Sequence, residues 1–141
     1  MVSERNKLKI VLDTNVYVSA LIFSGIPDEI IDLVREDRLE LLVSPSILLE
    51  LGRILREKFN FPRKEVFYAL SEIRRIATVV TPNKKVNIVK DDDADNRVLE
   101  CAIEGRAHYI ITGDKKHLRS LGKCQDINIL LPSEFIKGVI L

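Results

Sequence analysis

Short apolar runs rich in β-formers alternate with amphipathic helical segments, a pattern that predicts an α/β fold: a three-layer α/β/α sandwich around a central parallel sheet. Three observations carry that expectation. The run Leu8-Lys9-Ile10-Val11-Leu12 is almost continuously apolar, as a central strand covered on both faces requires. Comparable runs at 39–43, 78–81, 109–112 and 127–131 are separated by stretches long enough for helical crossovers. Acidic residues, Asp13 and Asp114, stand just past the ends of two of these runs, at the sheet edge where open α/β sheets bind ligands.

Taken in order, the first strand ends at Asp13, and Asp13 or Thr14 starts an apolar helix that extends to Phe23 and is closed by Gly25. Tyr17 and Phe23 read as core residues. Pro27 occupies a first-turn position of the next helix, whose apolar side is Ile30, Ile31 and Val34. After the second strand, Ser44 is an N-cap and Pro45 the first helical residue of a third helix with the stripe Ile47, Leu51, Ile54 and Leu55. Glu50 flanks that stripe near the helix start and is expected to point toward the same sheet edge as Asp13. Glu57 shares the flank about two turns farther away, at ~1.5 Å of rise per residue. Asn60-Phe61-Pro62 breaks the chain, and Val66, Phe67, Leu70, Ile73 and Ile76 mark a fourth amphipathic helix. The third strand is stopped by Pro82.

The stretch from Lys90 to Asp114 organises the rest. In a helix over 94–104, Asp95, Val98, Leu99, Ala102 and Ile103 form one buried stripe, so an aspartate heads the apolar face. The ordinary reading of such an aspartate is a helix cap, but Asp91, Asp92 and Asp93 can supply the cap instead. Gly113-Asp114 then follows the strand at 109–112, where a turn aspartate is the plain alternative. Residues 115–121 read as a short helix or turn, and Pro132 opens a terminal helix.

Composition narrows the function classes. The 141 residues, 46% of them hydrophobic, suit one domain spanning 1–141. Lys and Arg total 22 against 21 Asp and Glu, so any nucleic-acid surface has to be a local patch. Cys101 and Cys124 are too few and too far apart for a metal knuckle or disulfide framework. The amino-terminal apolar run is too short for a signal peptide or membrane span, which predicts a cytoplasmic protein with no membrane partner. No phosphate loop or dinucleotide fingerprint follows the first strand.

Asp13, Glu50, Asp95 and Asp114 are therefore expected to converge on one sheet edge. Unit charges 4 Å apart repel by about 4 kcal/mol at an effective dielectric of 20, so the group needs a counter-charge. Hard carboxylate oxygens without Cys or convergent His favour Mg²⁺ or Mn²⁺ over Zn²⁺. At such a site the metal polarises a phosphoryl oxygen and acidifies a bound water, which is phosphodiester hydrolysis chemistry. His108, at the start of a strand, reads as structural and His117 as surface, and no Ser-His-Asp or Cys-His triad is arguable.

Asp13-Thr14-Asn15-Val16, Glu50 within its Ser44-Pro45 helix, Asp95-Asn96 leading to Leu99 and Ala102, and Thr112-Gly113-Asp114 together resemble a PIN-domain ribonuclease. The chain is most similar to the VapC-like toxins of toxin–antitoxin systems, from Ile10 to the Pro132-Ser133-Glu134-Phe135 end. The resemblance implies a metal-dependent endoribonuclease with Asp13, Glu50, Asp95 and Asp114 as its acidic quartet. It also implies that Thr112 orders Asp114 or a metal-bound water, that Asn15 positions Asp13, and that the protein forms a homodimer silenced by a small antitoxin. Ala94 departs from the pattern, standing where related sequences often carry another acid.

RNA needs cations near the acidic centre. Lys115 and Lys116 come first by proximity to Asp114, with Arg119 and Lys123 beyond them, and Arg53 and Arg56 follow Glu50. Two other enzyme classes fit less well. A haloacid-dehalogenase phosphatase needs a second Asp where Asn15 stands, and a receiver domain needs an Asp after the third strand, where Thr81-Pro82 stands. The remaining alternative is a noncatalytic PIN-fold module for RNA or protein binding.

Overall fold

In the computed structural model, residues 7–23, 25–89, 92–113 and 118–141 are described. Strand β1 (Leu8–Leu12) runs into helix α1 (Thr14–Ile22), followed by α2 (Ile26–Arg35), β2 (Leu39–Val43), α3 (Pro45–Glu57), α4 (Arg63–Ile76) and β3 (Ala77–Val79). Then come α5 (Asp93–Gly105), β4 (Tyr109–Ile111), α6 (Leu118–Leu121), β5 (Lys123–Cys124), β6 (Ile127–Leu130), α7 (Pro132–Phe135) and a π-helical turn, Ile136–Ile140. Among the described residues six strands form one sheet in the order β3-β2-β1-β4-β6-β5. Every pairing is parallel except β5 with β6.

Consecutive residues Ile10, Val11 and Leu12 point to opposite faces and are all fully buried, so β1 is covered above and below, as its apolar run predicts. Ser44 caps α3 by accepting from the Ile47 N–H at 3.2 Å, with Pro45 in the first turn. Asp92 caps α5, its Oδ1 accepting from the Asp95 N–H at 3.0 Å, so Asp95 is not the cap. At the other end of α5 the left-handed residue is Arg106, with φ 55°, rather than Gly105. Gly105 serves packing, because a Cβ there would stand 2.6 Å from Leu42 Cδ1.

The structure corrects several expectations. Phe23 is 63% exposed and Phe67 66% exposed, whereas Tyr17 is buried. Phe67 turns outward to stack edge-on with Tyr68, at 5.9 Å between ring centroids. The third strand is Ala77–Val79, shorter and earlier than its β-rich run, and beyond it the Val80 N–H still donates to Val43 O at 2.7 Å. The antiparallel β5 has no counterpart among the predicted strands. It pairs with β6 through the two-residue turn Gln125-Asp126, with Gln125 at φ 53°. In the carboxyl-terminal turn Val139 and Ile140 pack against the core while Leu141 is exposed.

Helix α5 is buried beyond its predicted stripe, since Asn96, Glu100 and Cys101 are covered too. Over Asn96 and Glu100 the cover is the segment 83–89, which forms no strand and instead bonds its backbone to α5 side chains. Asn96 Oδ1 accepts from the N–H groups of Ile88 and Val89, both at 2.9 Å, and its Nδ2 donates to Val89 O at 2.7 Å. Glu100 accepts from the Val86 N–H at 2.7 Å and Glu104 from the Asn83 N–H at 2.9 Å. Three polar side chains of one helix thus replace the partner strand this segment lacks.

The far end of the sheet is tied by charge. Arg119 donates to both oxygens of Glu134, Nε at 2.7 Å and Nη2 at 2.8 Å, while the Leu131 N–H donates to Glu134 Oε1 at 2.8 Å. Arg119, then the Leu131 N–H, hold the Glu134 carboxyl down at about 2 from an ordinary 4.5.

Two expectations follow. Asn96→Ala removes a buried amide and leaves the Val89 N–H inside without its acceptor, a loss of about 2 kcal/mol or more by urea unfolding. Amide exchange at Ile88 and Val89 should accelerate while that of β1 does not, and unchanged exchange would show that Asn96 does not hold the segment. For Glu134, whose folded value is depressed, the stabilisation is complete above about pH 4.5 and is lost as pH falls toward about 2. Glu134→Gln should therefore unfold with a shallower acid dependence across that window, read by circular dichroism.

Candidate active site

The strand order reverses direction between β1 and β4: the chain proceeds from β1 to β2 on one side and reaches β4 on the other. Such a switch point opens a crevice at the carboxyl ends of the strands. Asp13 and Thr112 face each other across it. The Thr112 hydroxyl donates to Asp13 Oδ2 at 2.7 Å, and the Thr14 N–H donates to Asp13 Oδ1 at 2.7 Å. The Asp13 N–H donates to Ile111 O at 2.9 Å, extending the ladder by one bond past the strand ends. Asp13 is 4% exposed and Thr112 fully buried, so this carboxylate has a fixed plane at the junction.

Asn15 reaches across the same junction, but its partner is the Gly113 N–H, which donates to Asn15 Oδ1 at 3.3 Å. It braces the chain after β4, just before Asp114, and no bond from its side chain to Asp13 is seen. Asp114, Lys115, Lys116 and His117 lie outside the described residues.

Asp95 sits in the first turn of α5 and is 5% exposed, so the aspartate at the head of the buried face is inside, as its spacing predicts. Glu50 lies in the second turn of α3 and lines a cleft of about 130 Å³ with Thr14, Ser46, Ile47, Asp93, Ala94 and Arg97. Those residues come from the first turns of α1, α3 and α5, together with the next turn of α3 and of α5. Three helix N-termini therefore open on one cleft, and their partial positive charges, about half a unit each, offset part of the repulsion among carboxylates placed there.

Arg53 lies against two acids of its own helix. Its Nη2 donates to Glu50 Oε1 at 2.5 Å, its Nε to Glu50 Oε2 at 3.2 Å and its Nη1 to Glu57 Oε2 at 2.7 Å. Hydrogen bonds to Glu50 and then Glu57 raise the guanidinium's pKa above its ordinary value. Arg53 is thus the counter-charge of its own helix. Arg56 donates to Gly52 O at 3.4 Å, and Arg119 is engaged by Glu134.

The donor chemistry suits a hard cation. Asp13, Asp95 and Glu50 offer only carboxylate oxygens. Cys101 and Cys124 are buried and free, and burial pushes the Cys101 thiol up to about 12, so it is no thiolate ligand or nucleophile at neutral pH. His108 accepts the Lys9 N–H on Nδ1 at 2.9 Å at the opposite end of the sheet, a structural role as expected. Among the described residues, no group of three His, Cys, Asp or Glu side chains is close enough together to hold an ion. A roomier cavity of about 400 Å³ opens at that opposite end, beside His108 and Asn128, and touches none of the predicted site residues. No helix among the described residues is long and apolar enough to cross a membrane.

Comparison with known proteins agrees with the α/β fold. A protein of Methanocaldococcus jannaschii, MJ1680, described as uncharacterized, is 37% identical over 146 aligned positions that cover 95% of this chain and 93% of that one. The crystal structure of VapBC2 from Rickettsia felis, bound to a DNA fragment from their promoter, superimposes with a TM-score of 0.64. It covers 86% of this chain and 97% of its own at 13% identity, a likeness of fold. The model of the PIN domain matches residues 9–116, from β1 through the segment after β4, and the chain belongs to the PIN-domain family.

Proposed function

We propose that this protein is a metal-dependent endoribonuclease, acting with Mg²⁺ or Mn²⁺ as the toxin of a toxin–antitoxin pair. The observation that carries the reading is the Asp13–Thr112 contact across the β1/β4 switch point, with Asp95 and Glu50 on helices that open on the same edge. The PIN family is typically one of metal-dependent nucleases, and the fold likeness to a VapBC toxin–antitoxin complex supports the toxin assignment. By the same likeness we propose RNA as substrate, a small antitoxin as partner, a homodimer as the assembly and the cytoplasm as its location.

Asp13, Asp95, Glu50 and Asp114 are the residues proposed to hold the ion. When bound, it supplies Lewis-acid polarisation of a phosphoryl oxygen and a more acidic water. The chain's own part is orientation. The Thr112 hydroxyl and the Thr14 N–H hold the Asp13 carboxylate in one plane, Asn15 braces the segment leading into Asp114, and the helix N-termini favour an approaching phosphate. Asp95 is enclosed at the head of α5, where its N–H donates to the capping Asp92. A noncatalytic RNA-binding module is the second reading, favoured by one observation: both oxygens of Glu50 accept from Arg53.

End-labelled single-stranded RNA incubated with the protein and Mn²⁺, against EDTA, separates the two. Metal-dependent cleavage is expected, with Asp13→Asn and Asp95→Asn each slower by roughly 10²-fold or more, the scale of losing one preorganised electrostatic group. Thr112→Val should lose about 10- to 100-fold, as expected for a residue that orients a ligand. Binding without cleavage on several RNAs, or equal rates for Asp95→Asn and the parent, would move the assignment to the noncatalytic module. Growth arrest on induction that Asp13→Asn abolishes is the expected sign of a toxin.

A further inference from the structure

The cleft beside Glu50 does not stop at α5. Asp93 and Arg97, one turn apart on that helix, form a shared wall, and on its other side lies a second lobe of about 470 Å³ completed by Lys85, Val86 and Asn87. That volume is in the range of small-ligand sites, ~300–1,000 Å³. The segment 83–89 that carries this side of the lobe is bonded to Asn96, Glu100 and Glu104, and Arg97 Nη2 donates to Val86 O at 3.1 Å.

Arg97 is held at the boundary by Glu100 Oε2, 2.8 Å from Nη2, while its buried Nε has no hydrogen-bond partner among the described residues. Lys85 is exposed, and Asn87 is held by its Oδ1, which accepts from Asn96 Nδ2 at 3.4 Å. Arg97 and Lys85 are the cations lining the two lobes among the described residues.

The geometry points to a nucleotide subsite in this second lobe. It takes a unit of single-stranded RNA next to the bond being cut, with Arg97 and Lys85 as ligands of backbone phosphates and Asn87 beside the base. The inference rests on the nuclease reading above and gives the substrate strand a direction. It leaves the acidic centre over α5 and the segment 83–89. A single strand fits because its backbone can follow a groove across an irregular loop and present unpaired bases to it.

The test is binding, measured apart from cleavage. Fluorescence anisotropy of a labelled single-stranded 12-nucleotide RNA is titrated in EDTA across a range of KCl concentrations. Each phosphate contact in a single strand contributes about 0.7 to the slope of log K against log salt. Lys85→Ala should lower the slope magnitude by about 0.7 and weaken binding severalfold. Arg97→Gln alone would leave Glu100 buried without its ion pair, so the double variant Arg97→Gln/Glu100→Gln is used, with thermal unfolding as its folding control. It too should lose about 0.7 of slope.

Lys137→Ala, on the exposed terminal turn, should match the parent, and a DNA strand of the same sequence should show the same losses, since the contacts go to phosphates. Parental slope and affinity in both lobe variants, or no binding of either strand by the parent, would overturn the subsite. The nuclease reading fails separately: an absence of metal-dependent cleavage with these slope losses intact would remove the enzyme and keep the lobe.

Discussion

The bond from the Thr112 hydroxyl to Asp13 joins two chain segments nearly a hundred residues apart, at the β1/β4 junction where the winding of the parallel strands reverses. A carboxylate there is buried, and a buried charge persists only when donors or counter-charges meet it. The strand β1 brings Asp13 to the edge, β4 brings Thr112, and parallel pairing in register, Leu12 opposite Ile111, sets the two side by side. A slip of one residue in that pairing would turn Thr112 to the opposite face of the sheet and leave Asp13 inside without its hydroxyl.

Around this bond the molecule manages negative charge by three different means. Helix N-termini from α1, α3 and α5 face the cleft and favour anions there. Glu50 is met by a guanidinium from its own helix, at i+3, in a partly exposed pair that a competing cation can displace because such pairs are individually weak. Glu100, nearly fully buried, is neutralised by Arg97 and takes a backbone N–H as well. The last of these has a consequence for shape: the residues that neutralise and bond along α5 are the same ones that hold the segment 83–89, so the wall of the cleft and its extension are bonded to each other.

Much of the fold was legible because two periodicities rarely mislead over long elements. The apolar run at 8–12, the caps Ser44 and Asp92, the buried aspartate at the head of α5 and the alternation of strands with helices all follow from local patterns that tertiary packing reinforces. The misses have physical causes. Phe23 and Phe67 are large apolar residues whose burial depends on what lies opposite, and here Phe23 closes a helix at the surface while Phe67 pairs with Tyr68 outside. The hairpin of β5 and β6 turns on Gln125-Asp126, where no glycine announces the left-handed residue. The partners of Arg53 were not legible either, because proximity to Glu50 in sequence does not say which of two anions a flexible side chain will take.

The sequence by itself determined that this is an α/β chain with carboxylates at strand ends and at a helix head, since hydrophobic period, caps and strand-end acids are local properties. It also carried the family resemblance, spread over four short motifs. Only the tertiary structure decided that Thr112 meets Asp13, that Asn15 braces Gly113 instead, that Glu50 is paired with Arg53, and that Asn96, Glu100 and Glu104 hold a strandless segment against α5. These are contacts between groups 3 to 99 positions apart. Strand order, register and competition among partners settle such contacts, and those quantities exist only once the chain has closed on itself.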